Sequence, residues 1–318
     1  MSTVFFFPGQ GSQQIGMLHQ LPDHPVIEAT LHEASEVLEE DIYTLDSEKS
    51  LSSTVAVQLA LLISGVATAR ALRAEGASPD LVAGHSVGAF SAAVIANVLE
   101  LKDALQLVKL RAILMENAYP KGYGMGVVVG LNERRLSGII QKEFTCKVPV
   151  YMANLNAPQQ ITIAGAIAGL ERVLASARLA GARRAQLLNV SVPSHCELLN
   201  RVSEELMFAL EKMALREPIV PYAGNVHARI LKNATAIKKD LALSVAKPVR
   251  WHDATTLLYE LGARLFVEMA PGHVLTDIAA VEFPNAQSIS FSNSRFENVK
   301  ILILREKKFL ATDTTAKQ

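Results

Sequence analysis

Apolar positions fall along this chain in two rhythms, one before residue 122 and again near the C-terminal end, the other between. Near the start, "TVFFFPG" is a continuous apolar run closed by Pro8-Gly9. It predicts a buried strand that ends in a turn. Helical spacing follows over residues 25–40 and 54–75. "DLVAG" reads as a short strand, "SAAVIANVL" as a helix of small residues, and 101–118 as another helix. Strands that alternate with helices argue for a parallel sheet covered on both faces.

From about residue 122 the pattern changes. "GMGVVVGL" predicts a strand, "NERRLSGIIQKEF" a helix, "VPVYMANL" and "QQITIAG" two strands, "AIAGLERVLASARLAG" a helix and "RRAQLLNV" a strand. The order β-α-β-β-α-β is ferredoxin-like. After "SVPSHC" the larger elements resume: a helix over 196–214, "VPYAGNV", helices near 234–246 and 252–262, the strand "RLFVEMAP" and a helix after Gly272. The expected fold is α/β. A main domain with a mostly parallel sheet and an α/β-hydrolase-like core takes residues 1–121 and 192–318. A ferredoxin-like subdomain at 122–191 is inserted in it. Only the tail "ATDTTAKQ" reads as disordered.

Half of the 318 residues are hydrophobic, so one large core is within reach. Lys and Arg number 31, as do Asp and Glu, so no net basic field exists to collect nucleic acid. The most apolar run, 54–69, contains Gln58 and Ser64 and stops at Arg70. It is shorter than the roughly 20 apolar residues of a membrane span and reads as a core helix. The N-terminal segment lacks the basic region and cleavage site of a signal peptide. The two cysteines, Cys146 and Cys196, form neither a disulfide framework nor a metal-spaced pair, which suits a cytoplasmic setting. Both are expected to be structural, Cys146 as a small buried hydrophobe. "GQGSQQIG" does not complete a dinucleotide fingerprint, because its third glycine position is Gln14.

The chemistry concentrates at "AGHSVGAF", where Gly84-His85-Ser86-Val87-Gly88 has the spacing G-x-S-x-G. Such a pentapeptide occurs in ordinary turns, but a strand before it and a helix after it suit a nucleophile on a strained corner. The following helix aims its N-terminal N–H groups at the site, and the Val87 N–H is a natural oxyanion donor. Serine needs a base. His19, His24 and His32 read as surface residues, and the His85 side chain should point away from Ser86. His195, His227, His252 and His273 remain candidates; His195 lies where the inserted subdomain returns to the main domain, a place where clefts form. No acid between 86 and 195 sits convincingly at a strand end, so a Ser-His dyad with a carbonyl behind the imidazole fits better than a triad. Asn154 and Asn156, between two strands of the insertion, either line the cleft or make turn hydrogen bonds, and the turn is the preferred reading. Glu268 reads as structural, and Arg183-Arg184 and Lys238-Lys239 as solvated surface that could serve docking.

"FPGQGSQ", "GHSVGAF", "LVKLRAILM", "VSVPSHC" and "EMAPGHVL" occur in that order. Together they resemble the malonyl-CoA:acyl carrier protein transacylases of fatty acid and polyketide synthesis, over nearly the whole chain. The resemblance implies that Ser86 carries the acyl group, His195 is the base, Arg111 binds the malonyl carboxylate, and the Gln10 N–H joins Val87 in the oxyanion hole. It implies malonyl-CoA as substrate, an acyl carrier protein with a phosphopantetheine thiol as partner, and no bound cofactor or metal. Three positions depart from the pattern. Ala89 stands where most synthase members have glutamate, Ser244 replaces a glutamine whose carbonyl meets the histidine, and Val55 matches a glutamine of the family's "TQP" segment. "GHSVGAF" with "STVAVQLALLISG" is more similar to the transacylase (epsilon) subunit of malonate decarboxylase. Association with other subunits of that enzyme is therefore expected, with the fatty acid synthesis enzyme as the alternative. A serine (thio)esterase and a non-catalytic carrier-binding subunit are more distant readings.

Overall fold

The computed structural model describes the backbone of residues 2–119 and 121–315, and the side chains among these as far as residue 307. In chain order the elements are β1 (Ser2–Phe7), α1 (Pro25–Leu38), α2 (Thr54–Ala74), β2 (Leu81–Gly84), α3 (Gly88–Ile95), α4 (Leu101–Ala118), β3 (Tyr123–Val129), α5 (Glu133–Glu143), β4 (Val150–Ala157), β5 (Gln160–Ala166), α6 (Ile167–Leu179) and β6 (Arg184–Leu187). They continue with α7 (Asn200–Glu211), β7 (Tyr222–Ala223), β8 (Ile230–Leu231), α8 (Ala234–Leu243), α9 (Trp251–Glu260), β9 (Ala263–Glu268), α10 (Val274–Glu282), β10 (Gln287–Ser290) and α11 (Phe296–Thr315).

β1 is apolar at successive positions because both its faces are covered. Phe5 and Phe7 join the cluster built from α1 to α4, while Val4 and Phe6 pack with Trp251, Leu258 and Phe266 on the other face. The first sheet runs β10-β9-β1-β2-β7-β8 and is parallel except at β7–β8. α2 is long and apolar enough to cross a membrane by length and composition, but it is buried against α1, α3 and α4. Its N-terminus is tied down by Glu116, whose Oε1 accepts from Ser53 Oγ (3.0 Å) and the Thr54 N–H (2.5 Å).

The second sheet is antiparallel in the order β4-β5-β3-β6, the ferredoxin-like arrangement. α5 and α6 cover one face through Leu136, Ile140, Leu170 and Val173. The other face turns toward the first sheet. β4 is bonded to the main body, with the Leu155 N–H donating to Val249 O and the Val249 N–H to Ala153 O, both at 2.8 Å.

Three expectations are corrected here. The 196–214 segment is a short 3-10 turn, Glu197–Leu199, followed by α7, which stops at Glu211. β10 and α11 were not foreseen, and α11 carries the nominally disordered tail as far as Thr315; residues 316–318 lie outside the described residues. Cys146 is exposed on the loop after α5, whereas Cys196 is buried.

Candidate active site

Ser86 lies between the end of β2 and the start of α3. Its φ is +55°, a left-handed backbone that a non-glycine residue holds only when its surroundings enforce it. Both flanking glycines are required by contact. A Cβ on Gly84 would sit 2.1 Å from the Gly88 carbonyl, and one on Gly88 would sit 2.1 Å from Phe7 O. The strand, the corner and β1 are therefore stacked backbone on backbone. The helical turn begins at once: the Gly88 N–H donates to His85 O and the Ala89 N–H to Ser86 O, both at 3.0 Å. The positive end of α3 thus faces the hydroxyl.

His195 Nε2 is 2.8 Å from Ser86 Oγ. Its Nδ1 lies 2.5 Å from Ser244 O, and a carbonyl can only accept, so Nδ1 carries the proton. Nε2 is left as the acceptor for the serine O–H. This is the expected dyad, with a backbone carbonyl where a triad has its acid. The change from glutamine to serine at 244 leaves that contact intact, because only the main chain makes it. His195 is 2% exposed and has φ +63°. Burial first, and then the charge of Arg111, push its pKa down to about 3, partly offset by the Ser244 carbonyl. The imidazole is therefore neutral at ordinary pH.

Arg111 extends from α4 to the floor of the same site and is 1% exposed. Its Nη2 donates to Ser86 Oγ at 3.1 Å, and its Nη1 donates to Gln58 Oε1 on α2. Burial lowers its pKa to about 10, so it remains a cation. Among the described residues no carboxylate pairs with it, and its Nε has no partner. A buried guanidinium without a carboxylate partner, beside a serine hydroxyl, has donors free to pair with an anion. A glutamine does lie at this arginine: Gln58, one turn after Val55, meets Arg111. The signal was a single amide inside the apolar run 54–69, which alone does not say what it faces.

Gln10 and Val87 line the same cleft of about 380 Å³, together with Gln58, His85, Ser86, Arg111 and His195. Among the described hydrogen bonds, neither the Gln10 nor the Val87 N–H donates to a protein acceptor. His85 does turn away from Ser86, its Nε2 lying 3.0 Å from Asn156 Oδ1. Asn154 and Asn156 are not turn residues. Both lie on β4 and line the cleft, and Asn154 Oδ1 is buried without a partner. Of the other histidines, His252 pairs with Glu282 (3.8 Å) and His273 with Asp277 (2.7 Å). Cys196 donates to Pro193 O (3.2 Å), and burial pushes its thiol up to about 12, so it is no nucleophile. Glu268 receives the Thr276 N–H (2.7 Å) at the start of α10, a structural cap. Arg184 reaches the cleft from β6, whereas Lys239 lines a different groove.

Two further residues escaped the sequence reading. Asn225, just past β7, bonds the backbone of the serine corner, and Asp240 on α8 holds Asn225. Neither belongs to a recognisable short motif.

A family model described as "Acyl transferase domain" matches residues 4–293. The malonyl CoA-acyl carrier protein transacylase of Salmonella typhimurium is 37% identical over 281 residues, covering 86% of this chain and 91% of the relative. The enzyme of the same name from Bacillus subtilis is 34% identical, covering 96% and 98%. Among solved structures, the malonyl CoA-acyl carrier protein transacylase of Coxiella burnetii superposes with a TM-score of 0.91 at 32% identity, covering 96% of this chain and 98% of that one. A malonyl-transacylase in complex with its type II PKS acyl-carrier protein gives 0.90 at 36%, covering 96% and 100%. With the serine corner, the dyad and the buried arginine in place on this fold, the chain belongs to the acyl transferase domain family.

Proposed function

We propose that this protein moves a malonyl group from malonyl-CoA to the phosphopantetheine thiol of an acyl carrier protein through an ester on Ser86. The observation that carries the reading is Arg111: a buried cation with no protein carboxylate, in contact with the nucleophile. Malonyl is a thioester with a free carboxylate at its far end. That carboxylate can accept two parallel hydrogen bonds from the guanidinium. Each charge-assisted bond is worth roughly 1.5–3 kcal/mol.

His195 Nε2 takes the Ser86 proton as Oγ attacks the thioester carbonyl. The Val87 and Gln10 N–H groups receive the oxyanion, each worth about 2.7–4 kcal/mol of barrier. The tetrahedral intermediate collapses to the seryl ester, and His195 returns the proton to the departing CoA thiolate. The carrier thiol then runs the same steps in reverse. Thioester to ester to thioester is nearly balanced, so the exchange draws on no cofactor. The substrate also adjusts the base. Its carboxylate offsets Arg111, which after burial is the largest cause holding the His195 pKa down, so imidazole becomes a stronger base when malonyl is bound.

The relatives' names support an acyl carrier protein as the acceptor, as in the fatty acid synthesis enzyme. The malonate decarboxylase setting is the second reading. It rests on Ala89, fully buried where most synthase members have glutamate, and on Ser244; Val55 no longer counts toward it.

Intact mass after exposure to malonyl-CoA tests the reading. A malonyl ester on Ser86 that is discharged by carrier, and stable without it, is expected. Rapid free malonate without carrier would make the protein a hydrolase, and no ester at all would make it a non-catalytic subunit. Faster discharge by a malonate decarboxylase carrier than by a fatty acid carrier would move the second reading ahead of the first.

A further inference from the structure

We infer that Asn225 is the positioning residue of the nucleophile corner, its side-chain amide standing in for a strand peptide so that Ser86 can hold its left-handed backbone. β7 pairs with β2 only at Val82↔Tyr222 and Ala83↔Ala223. Beyond that point Gly84 O and the Ser86 N–H, the two groups flanking His85, would need a peptide of the neighbouring strand. One side chain supplies both partners. Asn225 Nδ2 donates to Gly84 O at 2.9 Å, and Asn225 Oδ1 accepts the Ser86 N–H at 3.2 Å. A parallel strand offers the same donor and acceptor to the two neighbours of a residue.

Asn225 is itself fixed on every side. It is 3% exposed. Its N–H donates to Asp240 Oδ2 (3.0 Å), the Val226 N–H donates to Asp240 Oδ1 (2.9 Å), and its carbonyl accepts the Arg250 N–H (2.9 Å). Gly224 leaves room for the carboxylate, because a Cβ there would sit 2.9 Å from Asp240 Oδ1. A chain of contacts thus runs from α8 through Asp240 and Asn225 to the serine backbone. A strained residue persists only where its surroundings over-determine it, and these bonds do so at Ser86. They also commit the Ser86 N–H, leaving the Val87 N–H to face the cleft.

The role demands one donor and one acceptor on a single planar group. A carboxylate at 225 would keep the acceptor but turn a second oxygen toward Gly84 O. Its protonated form would restore the donor. This gives a test that a merely structural role would not move.

The inference rests on Ser86 being the nucleophile of the transfer proposed above, but not on malonyl being the acyl group. A fluorophosphonate reports on it directly: Ser86 Oγ bonds to phosphorus, fluoride leaves and His195 takes the proton. Full-length wild type, Asn225→Ala and Asn225→Asp are labelled at pH 8 and pH 5.5, followed by intact mass, with melting temperatures alongside. Asn225→Ala is expected to label about a hundredfold more slowly than wild type at both pH values. Asn225→Asp is expected to be as slow at pH 8 and to recover at least about tenfold relative to wild type at pH 5.5. The titratable groups around position 225 are Asp240 from α8 and Tyr222 from β7, with His195 and Arg111 across Ser86. All are common to the three proteins, so their own titration divides out between wild type and Asn225→Ala; in Asn225→Asp the adjacent Asp240 adds a like charge that raises the pKa of the introduced carboxyl, which favours the protonated donor at pH 5.5. Labelling of both variants at the wild-type rate, or an Asn225→Asp pH ratio equal to that of wild type, overturns the inference. Should Asn225→Ala fail to fold, the pH ratio of Asn225→Asp decides alone. If wild type is labelled but forms no malonyl ester, the substrate reading fails while the inference stands or falls on these rates. If wild type is not labelled, both fall.

Discussion

On the parallel-sheet wall of the cleft, each functional group is bonded to the next: Ser244 O to His195, His195 to Ser86, Ser86 to Arg111, and Arg111 to Gln58. On the inserted-sheet wall stand Asn154, Asn156, Gln160, Thr162 and Arg184, neutral amides and a hydroxyl with one exposed cation. The first wall is buried and interlocked, with the Arg111 cation held between the neutral Gln58 amide and the serine hydroxyl. On the second, Asn156 meets His85 and the Asn154 N–H donates to Thr162 Oγ1, but among the described hydrogen bonds none of the five side chains bonds Ser86, His195 or Arg111. Displacing one group on the first wall disturbs its neighbours, whereas trimming one on the second removes only its own contact.

The contrast can be broken most forcefully at His195. His195→Ala should slow Ser86 acylation by about 10²–10⁴-fold, read by rapid-quench intact mass. A loss below tenfold would mean that another base serves the site. The backbone beneath the first wall should be nearly as intolerant. Gly88→Ala drives a methyl group into Phe7 O, and a loss of about 3 kcal/mol or more is expected in denaturant unfolding. Gly138→Ala, on α5 of the inserted sheet with open space around it, should instead stabilise by about 0.4–1 kcal/mol.

The burial of the first wall also has a signature in pH. In the free protein His195 stays neutral until the pH nears 3, so kcat/KM for acylation, which reports the free enzyme, should hold within about threefold from pH 8 to 5. An imidazole titrating at 6.5 would lose about thirtyfold over that range. The sign for stability follows. The unfolded imidazole binds a proton below about pH 6.5 and the folded one does not, so stability from this group is lost as pH falls from 6.5 toward 3. The smallest effect belongs to the second wall. Gln160→Ala should raise KM by less than about tenfold with kcat unchanged, because it removes one neutral hydrogen bond. A fall in kcat instead would place Gln160 in the chemistry.

Much of this was legible in the sequence, for identifiable reasons. The serine corner shows because Gly84 and Gly88 are dictated by contacts with Gly88 and Phe7, and glycine leaves a visible mark. The ferredoxin-like order shows because β3 and β5 are short continuous buried runs while α5 and α6 keep helical spacing of their apolar residues. What stayed hidden depends on partners far away in sequence. Gln58 meets Arg111 across 53 positions, and Asn225 meets Ser86 across 139. Asn154 and Asn156 passed for turn residues because asparagine favours turns, while here a strand turns both toward the cleft. β10 was missed because "QSIS" is short and polar, as an edge strand can be.

If the proposed transfer holds, Arg111 is what makes this site select an acyl group ending in a carboxylate. The most direct measurement compares Ser86 acylation by malonyl-CoA and by acetyl-CoA, in wild type and in Arg111→Ala. Loss of the guanidinium should lower the malonyl rate by about two decades or more while acetyl transfer falls far less, collapsing the preference. An equal fall for both substrates, or an unchanged preference, would contradict the account.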